Sequence, residues 1–287
     1  MKENEVKLSV IIPCLNQEHY IRATLESVCS QVGPQVEIIV IDGGSTDGTL
    51  REIENFRSSL SCIVSEPDKG HYDAVNKGMS RATGDILCWL NADDLYLPWT
   101  FSVVMQIFRE HPEVCWLSGI PSVWDEDGRL VSVAESLPAY GRRMLAAGEH
   151  DVSLGVPGVQ QESCFWRRSL WEKIGSKINT GFDLAGDHDL WARMARHADL
   201  VSVDTVLAGQ RRHRNQRSSV GKDRYYQQAA EVRALHGGRT WLRPLMRRAA
   251  SGCTKRFLAR LLFRGTGPVL IKTCWEGWEL QSRNIVR

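Results

Sequence analysis

Four short apolar runs, each followed by a stretch of helical periodicity, fill the first hundred residues of the chain. Leu8 to Ile12 is an apolar run that ends at Pro13. Val36 to Ile41, Ser61 to Ser65 and Asp85 to Leu90 are the next three. Runs this short, rich in Val and Ile, read as buried strands. Between them, Tyr20 to Ser30, Thr49 to Phe56, His71 to Ser80 and Trp99 to Phe108 space their apolar residues three and four apart, as helices do. Pro98 is placed to open the last of these, and proline suits a first helical turn. Strands that alternate with helices in this rhythm must run mostly parallel, because each crossover helix returns the chain to the same edge. The expectation is an α/β protein with a mostly parallel central sheet flanked by helices.

Such a sheet dictates where to look for chemistry. Ligands bind outside the carboxyl ends of the strands. The residues just after the four runs are Pro13-Cys14-Leu15-Asn16, Asp42-Gly43-Gly44, Glu66-Pro67-Asp68-Lys69-Gly70 and Asn91-Ala92-Asp93-Asp94. Three of these bring carboxylates or glycines to one rim.

Composition narrows the class. With 43% hydrophobic and 24% charged residues, the 287-residue chain can bury a core and is not built for disorder. Its net charge of +2 conceals an uneven distribution: Arg239 to Arg264 holds eight Lys or Arg and no acid, which leaves the remainder at −6. Eight cysteines are scattered without a Cys-x-x-Cys pair, several inside apolar runs, which fits a reduced, cytoplasmic protein. The N-terminal Met1-Lys2-Glu3-Asn4-Glu5 lacks the pattern of a signal peptide, and no run reaches the length of a membrane span.

The acidic turn Asn91-Ala92-Asp93-Asp94 offers hard oxygen ligands for Mg²⁺ or Mn²⁺, with phosphate oxygens and water completing the shell. Taken alone, either aspartate could instead cap the following helix. Asp42-Gly43-Gly44-Ser45-Thr46-Asp47-Gly48 follows a strand, and its glycines allow close approach of a ligand to the backbone, but it could equally be a turn whose Asp47 or Ser45 caps the next helix. The glycines do not follow the G-x-G-x-x-G spacing, and no G-x-x-x-x-G-K-[ST] occurs, which argues against a nicotinamide enzyme and excludes a P-loop. Asp73 lies in the first turn of the helix opened by Asp68-Lys69-Gly70-His71-Tyr72, where an acid is good capping chemistry, or could face a nucleotide with Asn76.

Taken in order, these blocks resemble the family 2 inverting glycosyltransferases, enzymes of the GT-A fold that build bacterial surface polysaccharides. The likeness runs almost unbroken from Leu8 to Asp94, through Val-Ile-Ile-Pro-Cys-Leu-Asn, Ile-Val-Ile-Asp-Gly-Gly-Ser-Thr-Asp-Gly-Thr, Asp-Lys-Gly-His-Tyr-Asp-Ala-Val-Asn-Lys-Gly and Leu-Asn-Ala-Asp-Asp, and more sparsely to about Ser218. It implies that Pro13 and Asn16 line a nucleotide pocket, that Asp42 recognises base or ribose, and that Asp73 sits near the nucleotide. Asp93 matches the metal-binding acid of the family's D-x-D motif, whose first acid is Asn91 here. Asn91 and Ala92 would complete that wall of the pocket.

In the second half, Gly186-Asp187-His188-Asp189 resembles the family's Glu-Asp motif, with glycine in place of the Glu and Asp187 as general base. Asp189 is the other candidate, but two positions apart on a helix the two carboxylates point differently, so only one can face the sugar. Arg211-Arg212-His213-Arg214-Asn215-Gln216-Arg217-Ser218 resembles the family's H-x-x-Q/N-x-S tail motif. There Arg212 would hold a diphosphate and His213 would complete a metal shell; a solvated basic loop is the plainer alternative. Gln160 to Arg168 resembles a segment found near the acceptor, and Trp166 within it is as well suited to the core as to a sugar platform.

The resemblance implies a catalytic domain over residues 1–220, with a nucleotide half at 1–118 and an acceptor half at 119–220. Residues 221–287 would add a helical basic extension. On it Phe257, Leu258, Leu261 and Leu262 share a face ringed by Lys255, Arg256, Arg260 and Arg264, a pattern able to rest on an anionic membrane surface. No nucleic-acid motif accompanies the basic residues. The expected partners are a nucleotide-sugar donor, UDP by family habit, and a saccharide or lipid-linked saccharide acceptor. Two alternatives stay open: a sugar-nucleotide pyrophosphorylase, which would need a basic Gly-rich loop after the first strand, and a non-catalytic nucleotide-sugar-binding assembly protein.

Overall fold

A computed structural model describes residues 6–135, 140–150, 158–214, 216–217, 221–239, 266–273 and 277–284. The first hundred residues form the expected alternation. Strands β1 (Leu8–Cys14), β2 (Val36–Asp42), β3 (Cys62–Ser65) and β4 (Ile86–Trp89) are connected through helices α1 (Ile21–Cys29), α2 (Thr49–Glu54) and α3 (His71–Met79). β1 pairs in parallel with both β2 and β4, and β2 with β3, so the order across this edge is β4-β1-β2-β3. Every residue of β1 and β4 is buried, as strands covered on both faces require. Helix α3 packs close over β1 because Gly78 carries no side chain: a Cβ there would stand 2.4 Å from the Ile11 Cγ2.

A single carboxylate fastens the amino ends of these strands. Glu37 is buried and accepts hydrogen bonds from the Ser9 hydroxyl, from Thr83 and from the Gly84 amide, and pairs with Lys7 at 2.8 Å. Burial works against its charge, but Lys7, Ser9 and Thr83 outweigh that and hold the carboxyl down at about 2.

After β4 the short strand β5 (Leu95–Tyr96) leads into α4 (Thr100–Glu110). The cap of α4 is Trp99, so Pro98 lies one residue before it rather than in the first turn. β6 (Trp116–Ser118) follows, then the hairpin β7 (Ser122–Trp124) and β8 (Leu130–Val133), closed by a turn with Gly128 at φ 78°. A short helix, α5 (Arg142–Ala146), comes next among the described residues. β9 (Cys164–Arg167) runs antiparallel between β4 and β6 and closes the gap in the main sheet. α6 (Arg168–Lys173) is capped by Arg167. α7 (Gly186–Ala195), β10 (Leu200–Val203), β11 (Ala208–Arg211) and α8 (Lys222–Leu235) complete the body.

Residues 266–284 depart from the helical extension expected there. They form an antiparallel pair, β12 (Thr266–Thr273) and β13 (Gly277–Asn284), and β12 lies parallel to β10. The main sheet therefore has nine strands in the order β13-β12-β10-β6-β9-β4-β1-β2-β3, and β5-β11-β7-β8 form a second, smaller sheet. The basic face around Phe257 lies outside the described residues. Within them, no helix is long and apolar enough to cross a membrane, and Cys14, Cys29, Cys62, Cys88, Cys115 and Cys164 are all free thiols.

The core lies on both faces of the main sheet. On one face Trp89, Trp116, Trp166 and Trp191 are fully buried, with Trp89 and Trp191 stacked at 5.9 Å between centroids. Trp166 stands edge-on to Trp89 and so belongs to the core, not to a sugar platform. Each such aromatic pair adds about 0.5–1.5 kcal/mol beyond its area. Trp191 belongs to α7, so this packing also fixes the helix that carries Asp187.

Candidate active site

The rim at the carboxyl ends of β1, β2 and β4 gathers the residues singled out in the sequence. They divide into groups that shape loops and groups that present chemistry. Asp42 is fully buried. Its carboxylate accepts hydrogen bonds from the Gly44 amide at 3.2 Å, from the Ser45 amide at 3.1 Å and from the Ser65 hydroxyl at 2.7 Å, and the Ser45 hydroxyl donates to it as well. With these donors on its two oxygens, it holds the glycine turn on the rim. Pro13 is buried in β1 opposite Ile41, one residue before the end of the strand. Asn16 is exposed in the left-handed region at φ 51°, and its Oδ1 accepts the Thr46 amide at 2.9 Å. This ties the β1 loop to the β2 loop across the rim.

Asp73 also serves its own turn. It accepts the Lys69 amide at 3.0 Å and faces Lys77 at 3.7 Å. Asn76 does not point toward a ligand, because its amide exchanges two hydrogen bonds with the backbone of Ile178, at 3.0 and 2.8 Å.

The acidic turn has a clear internal order. Ala92 and Asp94 turn their carbonyls to the Thr24 hydroxyl, at 2.8 and 2.7 Å. Asp94 is buried and accepts hydrogen bonds from the Asn91 amide at 3.0 Å and from the Arg211 amide at 2.9 Å. Burial, with Asp93 and Glu162 close by, pushes its carboxyl well above the usual range, so Asp94 is the structural acid of the pair. Asp93 is the presented one. The Nε2 of His213 donates to its Oδ2 at 2.9 Å.

Sequence distance hides how these meet. β11 pairs antiparallel with β5, Ala208 opposite Tyr96 and Gly209 opposite Leu95, and continuing that register sets Arg211 opposite Asp93. The ring of His213 lies 4.3 Å from that of Tyr20, and the guanidinium of Arg211 sits over the other part of this cluster, 5.5 Å from the Tyr20 centroid. Arg211 is 3% exposed, whereas Arg212 is exposed and donates its backbone amide to the Trp124 carbonyl at 2.8 Å. The buried arginine beside the acidic turn is therefore Arg211. Burial lowers the Arg211 pKa, against Asp94 and Asp93. Among the described residues, the buried Nε of Arg211 (a donor), the Nδ1 of His213 and the Asn91 Oδ1 have no hydrogen-bond partner. Asn215 and Ser218 of the tail motif lie outside the described residues.

An anionic ligand with a divalent cation suits this arrangement. Asp93 could supply a carboxylate oxygen and His213 an imidazole nitrogen, and the Arg211 Nε beside them is a donor of the kind that meets phosphate. Among the described residues, no three His, Cys, Asp or Glu form a closed cage. Two protein ligands with the rest from phosphate and water is the pattern of a cation shared with a substrate.

Asp187 lies in the first turn of α7, whose cap is Ala185. Its Oδ1 accepts the Tyr72 hydroxyl at 3.2 Å and the His188 amide at 2.8 Å, and its own amide donates to the Tyr72 oxygen at 3.3 Å. Burial pushes its carboxyl up, while His188 and Tyr72 restrain the shift. Gly186 makes this contact possible: a Cβ there would stand 2.6 Å from the Tyr72 ring. Asp189 is occupied otherwise. It is 2% exposed, with Arg193 at 2.9 Å on one oxygen and His236 at 2.9 Å on the other. Burial opposes its charge, but His236 and Arg193 hold the carboxyl below the usual range.

Tyr20, Tyr72 and Glu162 received no role from the sequence: Tyr72 and Glu162 stand inside motif blocks, but nothing local shows which side chains they meet. Arg211 stands in the tail motif, whose arginines suit a diphosphate. Glu162 is 3% exposed in the turn of residues 161–163, and burial, with Asp93 and Asp187 nearby, pushes its carboxyl up to about 8.

Comparison with known proteins agrees with this geometry. The family profile described as "Glycosyl transferase family 2" matches residues 9–175. The PGL/p-HBAD biosynthesis glycosyltransferase of Mycobacterium bovis is 31% identical over 198 residues, covering 68% of this chain and 72% of that protein. Among solved structures, residues 1–349 of S. aureus TarS, in complex with UDP-GlcNAc, superpose with a TM-score of 0.59 at 19% identity, covering 89% of this chain and 71% of that one. The chain spans 43% of the longer TarS structure. The mannosyltransferase PcManGT of Pyrobaculum calidifontis, in complex with GDP-Man and Mn²⁺, also gives a TM-score of 0.59, at 18% identity, covering 90% and 79%. At these identities the structural likeness establishes the fold, which is of the GT-A type.

Proposed function

This chain belongs to glycosyl transferase family 2, and on that premise we propose that it moves a sugar from a nucleoside-diphosphate donor to an acceptor hydroxyl with inversion at the anomeric carbon, assisted by Mg²⁺ or Mn²⁺. Membership selects glycosyl transfer over the nucleotidyl transfer of a pyrophosphorylase, whose basic Gly-rich loop is also missing after Pro13. The observation that carries the mechanism is the pairing of Asp93 with His213 on one side of the rim and of Asp187 with Tyr72 on the other.

In this reading the donor's diphosphate lies against Arg211, whose buried, unpartnered Nε is a donor, and beside His213, with Arg212 closing from the rim. Asp93 and His213 would hold the cation. When bound, it would offset the negative charge that develops on the departing diphosphate. Asp187 serves as the base. An acceptor hydroxyl is a poor nucleophile until its proton leaves, and a carboxylate whose affinity for protons is raised by burial accepts one more readily than a solvated carboxylate. The Tyr72 hydroxyl occupies Oδ1 of Asp187 and leaves Oδ2 for the acceptor. Attack from the face opposite the diphosphate inverts the anomeric centre through an oxocarbenium-like transition state, as in glycoside hydrolysis. Asp189 is set aside as base because both its oxygens are engaged, one by the Arg193 guanidinium and the other by the His236 ring.

The acceptor is proposed to be a saccharide or a lipid-linked saccharide. The direct test is to screen UDP- and GDP-sugars for thermal stabilisation of the protein with Mn²⁺ present, since a ligand that binds only the folded state raises the melting temperature. Nucleotide release with a stabilising sugar nucleotide, dependent on added acceptor, is expected. No stabilisation by any of them would refute the reading.

A further inference from the structure

The short turn of residues 161–163 sits over the end of β4. The Gln161 Nε2 donates to the Trp89 carbonyl at 2.7 Å, two residues before Asn91. Neighbouring Gln160 anchors the same turn by exchanging hydrogen bonds with the backbone of Ser122, at 3.0 and 2.7 Å. The turn is thus rigidly held, yet two of its side-chain oxygens are left over. The Oε1 of Gln161 and the Oε1 of Glu162 are both buried and have no hydrogen-bond partner among the described residues. The side chains themselves are 8% and 3% exposed.

Unpaired buried polar atoms are costly, about 1–3 kcal/mol each, and a pair of them on one fixed turn calls for a ligand. The sign of the leftover groups says what kind. Beside Asp93 the unpartnered Arg211 Nε is a donor, which suits phosphate. On the 161–163 turn the leftover atoms are acceptors, which suit hydroxyls.

Position agrees. Glu162 is within electrostatic reach of both Asp93 and Asp187, each of which disfavours its charge. In glycosyl transfer the sugar is the one piece that touches both ends: its anomeric carbon joins the diphosphate held by the first group to the acceptor oxygen activated by the second. A residue that senses both carboxylates therefore lies alongside the sugar. Resting on the function proposed above, we propose that Gln161 and Glu162 form the subsite that reads the hydroxyl groups of the transferred sugar, with Glu162 as its specificity-determining residue.

The test is isothermal titration of the full chain, as wild type, Glu162→Ala and Glu162→Gln, with Mn²⁺ present. The titrants are UDP, GDP, UDP-glucose, UDP-galactose, UDP-GlcNAc and GDP-mannose. The wild type should bind one sugar nucleotide more tightly than its free diphosphate and than its epimer. Glu162→Ala should lose that preference by about tenfold or more, the scale of one buried hydrogen bond to a ligand hydroxyl, and keep the affinity for the free diphosphate. Glu162→Gln, which keeps the shape and a carbonyl acceptor, should restore most of the preference. Retained preference in Glu162→Ala would overturn the inference. So would an equal loss for the free diphosphate, because Glu162 would then serve the cation or the fold. If the wild type binds none of the six, the proposed function itself fails, and the subsite with it.

Discussion

The Nε2 of His213 stands 2.9 Å from the Oδ2 of Asp93, although 120 positions separate them in the chain. The pairing exists because β5 follows directly on Asp93-Asp94 and takes β11 as its antiparallel partner. A cation held by this pair would take the place of the proton they now share.

The first prediction concerns that pair. Asp93→Asn and His213→Ala should each weaken Mn²⁺-dependent binding of the donor nucleoside diphosphate by at least about tenfold, the usual scale for disturbing a metal site. In the wild type a chelator should produce the same loss. Titration calorimetry with and without Mn²⁺ reads both effects, and Mn²⁺-dependent affinity that is unchanged in Asp93→Asn would remove the cation from the mechanism.

Asp187 and Asp189 are separable. Asp187→Asn should lower kcat by about 10²–10⁴, the range for a general base, and leave donor affinity intact. Asp189→Asn breaks a buried pairing with Arg193 and His236, so it should cost about 3–5 kcal/mol of stability while the folded fraction keeps near-normal turnover. Steady-state rates corrected for folded protein decide between them; the opposite pattern would make Asp189 the base.

Tyr72 is expected to position Asp187. Its hydrogen bond favours the ionised carboxylate and so restrains the upward shift caused by burial. Tyr72→Phe should move the acid limb of the kcat–pH profile to higher pH and leave KM for the donor nearly unchanged. Gly186→Ala should drive a methyl into the Tyr72 ring, at a cost of about 1–3 kcal/mol from overpacking, and shift the same limb. A profile that does not move in Tyr72→Phe would reduce the tyrosine to core packing.

Glu162 also makes a prediction about stability. Its carboxyl, pushed up to about 8 by burial and by Asp93 and Asp187, has an ordinary value of 4.5. Between those values the folded chain keeps a proton that the unfolded chain has released. Stability from this group is therefore full below 4.5 and is lost as the pH rises toward 8. Melting curves taken across this window should fall less steeply for Glu162→Gln than for the wild type.

Much of this was legible in the chain because it depended on local pattern. The four apolar runs could only be covered strands, and a parallel sheet places their following loops on one rim. The order of the motif blocks then carried the family. The same local reading went astray where partners come from far away. The pattern does not show, for instance, that Ser65, 23 positions on, donates to the buried Asp42. Residues 266–284, read as part of a helical tail, form an edge of the main sheet, because strand character there comes from pairing with β10 rather than from local periodicity.

By itself, then, the sequence settled the alternation of strands and helices, the rim on which the site is built, and the kinship of the chain. These follow from hydrophobic period and from contiguous motifs, which are properties of neighbours in the chain. Only the tertiary structure decided which acid of each pair is presented. Asp93 is met by His213 and Asp94 is buried beneath Arg211; Asp187 is met by Tyr72 and Asp189 is locked between Arg193 and His236. A carboxylate's role depends on its desolvation and on the donors that reach it, and those donors are brought by β11, α3 and α8 from the far side of the fold.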